Sequence, residues 1–184
     1  MEARIWGENE VLHDSIADFI LLDIKTRPIK ERGFLHMDHT WNMYPNATFF
    51  ETEIRNGFEV SEMRKRVWAI ELDMANRLIT ACRENDLRIF ADAGTMLGAV
   101  RHKGFIPWDD DIDVYMCWSD AEKLVKCQSD FETKYFVQNY KTDPQFPSTH
   151  YRLCDSSTSC FLEETKGLDV NHGIFIDIYI YYPY

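Results

Sequence analysis

Residues 89–116 read IFADAGTMLGAVRHKGFIPWDDDIDVYM, and the organisation of the chain follows from this stretch. It holds a small-residue turn at Ala93, Gly94 and Thr95, a basic trio at Arg101, His102 and Lys103, and aspartates at Asp109, Asp110, Asp111 and Asp113. Carboxylates gathered so closely repel one another, and a chain gains no stability from them unless a cation sits among them. Ile112 to Met116 is apolar apart from Asp113 and reads as a buried strand entered directly from the acidic run. Alternate strand residues share a face, so Asp111 and Asp113 should project side by side, roughly 6 to 7 Å apart at Cα. Such a pair suits Mg²⁺ or Mn²⁺, hard cations held by a few carboxylates together with the phosphate oxygens of a substrate.

Two other readings of the run compete. A solvated acidic loop needs no ion, but Trp108 before the cluster and Ile112 within it draw part of it against a core. A calcium loop would take Asp109, Asp111, Asp113 and Asp120 as its first, third, fifth and twelfth residues. Its sixth position needs glycine for a sharp turn, and this chain has Val114 there.

At 184 residues the chain suits one core domain with a small N-terminal addition, divided here as an extension over 1–58 and a core over 59–184. A hydrophobic content of 45% with 14% aromatics is that of a packed protein and excludes a disordered one. The net charge of −11 speaks against binding to nucleic-acid backbones and for a protein that recruits metal cations before phosphates. Cys82, Cys117, Cys127, Cys154 and Cys160 are scattered and odd in number, without CxxC spacing, so a reducing compartment is expected and neither a disulfide framework nor a zinc site. The N-terminus has no secretory pattern, the apolar run over 174–184 is too short to span a bilayer, and a cytoplasmic protein is expected. Asn46, Ala47 and Thr48 fit a glycosylation pattern that has weight only in a secreted chain.

Along the extension, short apolar pieces over 16–24 and 48–50 alternate with turn residues, and His13, His36 and His39 are too loosely spaced to propose a metal site. From Ser61 to about Glu84 an amphipathic helix is expected, capped by Ser61, with Val67, Ile70, Met74, Leu78 and Ala81 as its apolar stripe and Arg64, Lys65, Glu71, Asp73 and Arg77 largely on other faces. Leu87 to Ala91 reads as a strand, and the Gly94-Thr95 turn then opens a helix whose free N–H groups suit a phosphate. After the aspartate strand, Ser119 to Glu122 reads as a capping box opening a helix to about Gln128. Further strands are expected at 135–139, 151–154 and 158–162. The last strand, over 173–180, is apolar on both faces and yet carries Asp177 at its centre. A bare carboxylate there costs several kcal/mol unless it is paired, protonated or bound to metal. Arg152 or a backbone donor would satisfy it; so would a place beside Asp111 and Asp113 in a three-carboxylate site.

The order of a Gly-Thr turn opening a helix, an Asp-apolar-Asp strand and a third aspartate on a later strand resembles the nucleotidyltransferase fold. More narrowly, DAGTMLGAVRHKGFIPWDDDIDVYM followed by NHGIFIDIYI resembles the LicD family, which includes bacterial phosphocholine transferases and the animal fukutin and fukutin-related proteins. The resemblance covers about Ser61 to Ile180. It implies an α+β fold, a nucleotidyltransferase-like mixed sheet flanked by helices. It also implies transfer of phosphocholine or a polyol phosphate from a cytidine-diphosphate donor such as CDP-choline to a hydroxyl of a surface glycan or glycolipid, releasing CMP. By the same resemblance Asp111, Asp113 and Asp177 would hold Mg²⁺ or Mn²⁺, with Asp109 joining them through water or at the strand entry. Gly94 and Thr95 would meet the donor phosphates, and Arg101 and Lys103 would neutralise the diphosphate. A peripheral place at the membrane where glycan precursors are built also fits. Ala93 stands where many relatives carry glycine or serine. Relatives continue past the third aspartate strand with helices that shape the donor and acceptor pockets, so the chain, ending at Tyr184, is expected to be short for the family. Two alternatives are transfer of a nucleotide itself and a non-catalytic nucleotide- or metal-binding module.

Overall fold

The structure, a computed structural model, describes residues 47–182. The apolar pieces over 16–24, the three N-terminal histidines and the glycosylation pattern at Asn46 lie outside the described residues. Residues 47–50 form a 3₁₀ turn. Strands β1 (Glu53–Arg55) and β2 (Phe58–Val60) then pair antiparallel around Asn56-Gly57. Both turn residues have positive φ, +49° and +79°, the two-residue geometry that matches strand twist and that Asn-Gly adopts with least strain. The hairpin crosses residue 58, where the sequence reading divides the chain. It is fastened to the core: the Lys65 ammonium donates to Glu51 O at 2.6 Å and pairs with Glu53 at 2.9 Å.

Helix α1 (Glu62–Glu84) starts as expected, with Ser61 Oγ accepting the Arg64 N–H at 3.3 Å. Met74, Leu78 and Ala81 are buried, while Val67 and Ile70 are only partly so; the covered face is turned toward Trp68 and Leu72. Lys65 and Glu71, expected on outer faces, are 3% and 2% exposed. The helix lies under the hairpin at one end, where Lys65 finds Glu51 and Glu53, and beside the acidic loop in its middle, where Trp68 donates to Asp109 O.

The remaining elements are β3 (Phe90–Ala91), α2 (Ala93–Arg101), β4 (Asp113–Cys117), α3 (Trp118–Lys126), β5 (Tyr135–Gln138), β6 (Tyr151–Asp155) and β7 (Ile174–Tyr181). The five strands form one mixed sheet in the order β3-β4-β7-β6-β5, with only the β4–β7 pair parallel. Met116, Leu153, Ile176 and Ile178 point from the sheet into one core with Met74 and Leu78 of α1 and Ala121 and Leu124 of α3. This is the α+β arrangement, a mixed sheet flanked by helices, that the sequence led us to expect. The last strand in sequence is central in space, which explains apolar residues on both its faces.

Two local expectations are corrected. Residues 158–162 form no strand, because β6 is already flanked by β5 and β7; Thr158 instead accepts the Ile174 N–H through Oγ1 at 2.7 Å. No capping box forms at Ser119, which lies inside α3; Cys117 takes the cap position. Asp120 is turned to Arg88 at 2.8 Å, and Glu122 to Lys141 and Tyr151.

Candidate active site

Strand register aligns the polar residues of the sheet. Asp113 of β4 lies opposite Asp177 of β7, Asp177 opposite Arg152 of β6, and Arg152 opposite Gln138 of β5. Side chains directly across neighbouring strands share a face, so these four cross the sheet in one line on the face away from the helical core. Asp177 has the partner the sequence left open. Arg152 Nε donates to its Oδ1 at 2.8 Å, and His150 Nε2 stands 3.0 Å from the same oxygen, an ion-pair distance out of line for a hydrogen bond. Burial pushes Asp177 up, but the contacts with His150 and Arg152 outweigh it and hold the carboxyl below its usual range. Asp113 has less help, from the charge of His150. Its Oδ1 is buried with no hydrogen-bond partner, and burial followed by the charges of Asp177, Asp109 and Asp92 raises it to about 6.

The acidic loop lies at the entrance to β4. Asp109, Asp110 and Asp111 each present a carboxylate oxygen within 4.8 Å of the others. Asp111, just outside the strand, is raised to about 7 by burial, then by the charge of Asp113 and contacts with Asp109. The turn opening α2 is fitted to this loop. A Cβ on Gly94 would lie 2.3 Å from Asp109 Oδ2, so only glycine lets that carboxylate approach. Thr95 Oγ1 accepts the Asp113 N–H at 2.8 Å and ties the helix start to the strand start. Ala93 is held at φ +39°, a strained backbone for a residue with a Cβ, directly beside the acidic loop. A recess between turn and loop is lined by Gly94, Thr95, Phe105, Asp109 and Asp111.

Arg101 and Lys103 are both exposed, at the far end of α2. Arg101 lies over the Trp108 ring, 5.9 Å from its centroid, and donates to His102 Nδ1 at 3.2 Å; Lys103 has φ +59°. The guanidinium that meets the acidic loop is Arg64 of α1, which donates to Asp109 O at 2.8 Å and stands 3.8 Å from Asp110 Oδ2.

Arg64, Glu71 and His150 were not singled out as site residues in the sequence. Positions 64, 68 and 71 share a helix face. Trp68 Nε1 donates to Asp109 O at 3.0 Å and its ring stacks on Phe105, centroids 4.5 Å apart, so this face of α1 runs along the acidic loop. The available signal was a large aromatic at helical spacing from both residues. His150 gave none, because a loop histidine is placed by tertiary structure alone. The carboxylates around β4 supply oxygen donors, two of which, Asp113 Oδ1 and Glu71 Oε2, are buried without a hydrogen-bond partner, while the His150 ring nitrogen faces Asp177. Those are the properties that suit a hard divalent cation.

A profile for the family described as "LicD/FKTN/FKRP, nucleotidyltransferase domain" matches residues 86–183, a little over half of the chain and all of its five-stranded sheet. The chain belongs to this LicD family. It is 32% identical over 100 residues to the lipopolysaccharide cholinephosphotransferase LicD of Haemophilus influenzae, the match covering 54% of this chain and 37% of that protein. An uncharacterised protein of Rickettsia prowazekii is 36% identical over 58 residues, covering 32% of this chain and 22% of its own length. Another, from Rickettsia typhi, is 29% identical over 84 residues, covering 46% and 25%. The matched segments thus span at most 37% of these relatives' own length. No solved structure gives a significant match.

Proposed function

We propose that this chain carries the catalytic core of a metal-dependent phosphotransferase that moves phosphocholine, or a related polyol phosphate, from a CDP-linked donor to a hydroxyl of a glycan or glycolipid. The observation that carries the reading is Asp113 facing Asp177 on parallel strands at the exit of the Asp109–Asp111 loop, in a chain whose sequence is similar to that of a cholinephosphotransferase. Asp109, Asp111, Asp113 and Asp177 would hold Mg²⁺ or Mn²⁺. When bound, that cation supplies positive charge against the negative charge developing on the diphosphate.

The protein's own residues then divide the work. Arg152 and His150 keep Asp177 anionic and oriented, while Thr95 fixes the backbone of Asp113. Asp113 or Asp177 would take the proton of the acceptor hydroxyl, both facing the same side of the sheet. Arg101 and Lys103, exposed at the end of α2, would meet the outer charge of the diphosphate, and the open turn at Gly94 its phosphate oxygens. The reading puts the reaction on the cytoplasmic side, where glycan precursors are assembled. Among the described residues no helix is long and apolar enough to cross a membrane.

The test is calorimetric titration of the purified chain with CDP-choline, CDP-ribitol and CTP, each with and without Mg²⁺ or Mn²⁺, followed by turnover with a glycan acceptor. Metal-dependent binding of one CDP-alcohol and release of CMP are expected, and Asp111→Asn should abolish turnover while leaving the far-UV dichroism unchanged. A nucleotide found on the acceptor would establish nucleotidyl transfer instead, the activity in the family's description. Binding without turnover in a folded, metal-loaded chain would mark a binding module.

A further inference from the structure

Glu71 is 2% exposed, its Oε2 is buried with no hydrogen-bond partner, and no cation among the described residues pairs with it. A helix gains nothing by burying a carboxylate in that condition, since the penalty of an unpaired buried charge is several kcal/mol. Its surroundings make it worse. Burial first, and then the charges of Asp111, Asp110, Asp109 and Asp113 in that order, push the carboxyl well above its usual range.

The orientation is fixed by α1. Arg64 and Trp68, on the same helix face, both donate to Asp109 O, at 2.8 and 3.0 Å, and so hold this face against the loop that presents Asp109, Asp110 and Asp111. Among the described residues, the five carboxylates of Glu71, Asp109, Asp110, Asp111 and Asp113 meet one guanidinium, that of Arg64, 3.8 Å from Asp110. The cluster is left strongly negative and built wholly of oxygen donors, two of which, Glu71 Oε2 and Asp113 Oδ1, are buried with no hydrogen-bond partner.

We propose that Glu71 is the buried ligand of a divalent-cation site that it forms with the carboxylates of the Asp109–Asp111 loop. The site takes a hard cation such as Mg²⁺ or Mn²⁺. It lies on the α1 side of the loop, whereas Asp113 and Asp177 lie on the sheet. It shares Asp109 and Asp111 with the proposed reaction, and to that extent rests on that reading.

The test is titration of the full chain with Mn²⁺, free ion followed by electron paramagnetic resonance, in the wild type, Glu71→Gln and Asp113→Asn. Glu71→Gln should lose one bound Mn²⁺ or weaken binding at least tenfold. A Mn²⁺ isotherm identical to the wild type overturns the site. Should the glutamine variant not fold, anomalous diffraction from wild-type crystals soaked in Mn²⁺ decides. A peak in contact with Glu71 Oε2 supports the site, and a peak confined to Asp113 and Asp177, or none, overturns it. Unchanged Mn²⁺ binding in Glu71→Gln, with turnover lost in Asp113→Asn, would fail this site and leave the transferase reading standing. Mn²⁺ at Glu71 in a chain that turns over no CDP-alcohol would do the reverse.

Discussion

Asp177 shows how one carboxylate is made tolerable in the middle of a sheet. Arg152 is 5% exposed and serves it in three ways: it donates to Oδ1 and reaches Glu164 at 3.3 Å, while its guanidinium lies over the Phe175 ring, 3.8 Å from the centroid. Removing one partner of a buried pair leaves the other charge uncompensated, at a cost of about 3 to 5 kcal/mol. Arg152→Met keeps much of the packing on Phe175 and should therefore lose roughly that amount at pH 7, measured by urea denaturation. A loss below about 1 kcal/mol would mean that His150 alone suffices. At this scale the sequence was partly legible. Asp177 stood out because a charge in an apolar strand violates the pattern around it, and Arg152 could be suggested as its partner. His150 and Arg64 could not be, since a loop histidine and a helix arginine look alike whether they face solvent or an acidic site. Glu71 was misplaced for a related reason: the apolar positions alone put the buried face of α1 one step away from Trp68.

Elements were more legible where local chemistry dictates them. Ser61 announces α1, and the apolar period carries it for six turns; β4, β5, β6 and β7 were each expected within a residue or so of where they lie. Expectations failed where a local signal met tertiary competition, as at Ser119, whose capping pattern gave way when Asp120 turned to Arg88, and at 158–162, which follow a strand, β6, already paired on both sides. Helix α2 shows tertiary packing deciding a residue outright. A Cβ on Gly98 would lie 2.5 Å from Gly104 O and 3.3 Å from Ile106 N, both backbone atoms, and Gly98 O accepts the N–H groups of His102 and Gly104. Alanine gains about 1 kcal/mol of helix propensity. Overpacking costs about 1 to 3 kcal/mol in general, and unyielding backbone sets this position at the upper end. Gly98→Ala should therefore be net destabilising by about 2 kcal/mol in urea denaturation, and a variant as stable as the wild type would show that the 104–106 segment moves freely.

The whole molecule carries a charge of −11, and its most crowded acids are those at the site. Their effect on stability has a definite sign. Asp113 and Asp111 are raised to about 6 and about 7, against roughly 3.9 in the unfolded chain, so between these values the folded chain holds protons that the unfolded chain has lost. Their contribution is complete below about pH 4 and is lost as the pH rises through 6 and 7. Asp177, held low, runs the other way, and its contribution fades only as the pH falls below about 4, outside that window. The metal-free protein should thus melt at a lower temperature at pH 7.5 than at pH 5, and millimolar Mg²⁺ or Mn²⁺ should restore more at pH 7.5 than at pH 5, read by thermal denaturation. Equal restoration at both pH values would show that these carboxylates do not bind the added ion. The line from Asp113 through Asp177 and Arg152 to Gln138 has one more consequence. Side chains alternate along a strand, so sliding β7 by a single residue would carry Asp177 into the core among Met116 and Leu153 and lift Ile176 or Ile178 onto the polar face. A misaligned sheet would strand a carboxylate in oil, and such a conformer would be rejected long before it could collect a substrate. The residues proposed for chemistry therefore also proofread assembly: the charge line is a built-in alignment mark, legible only when every strand has found its place.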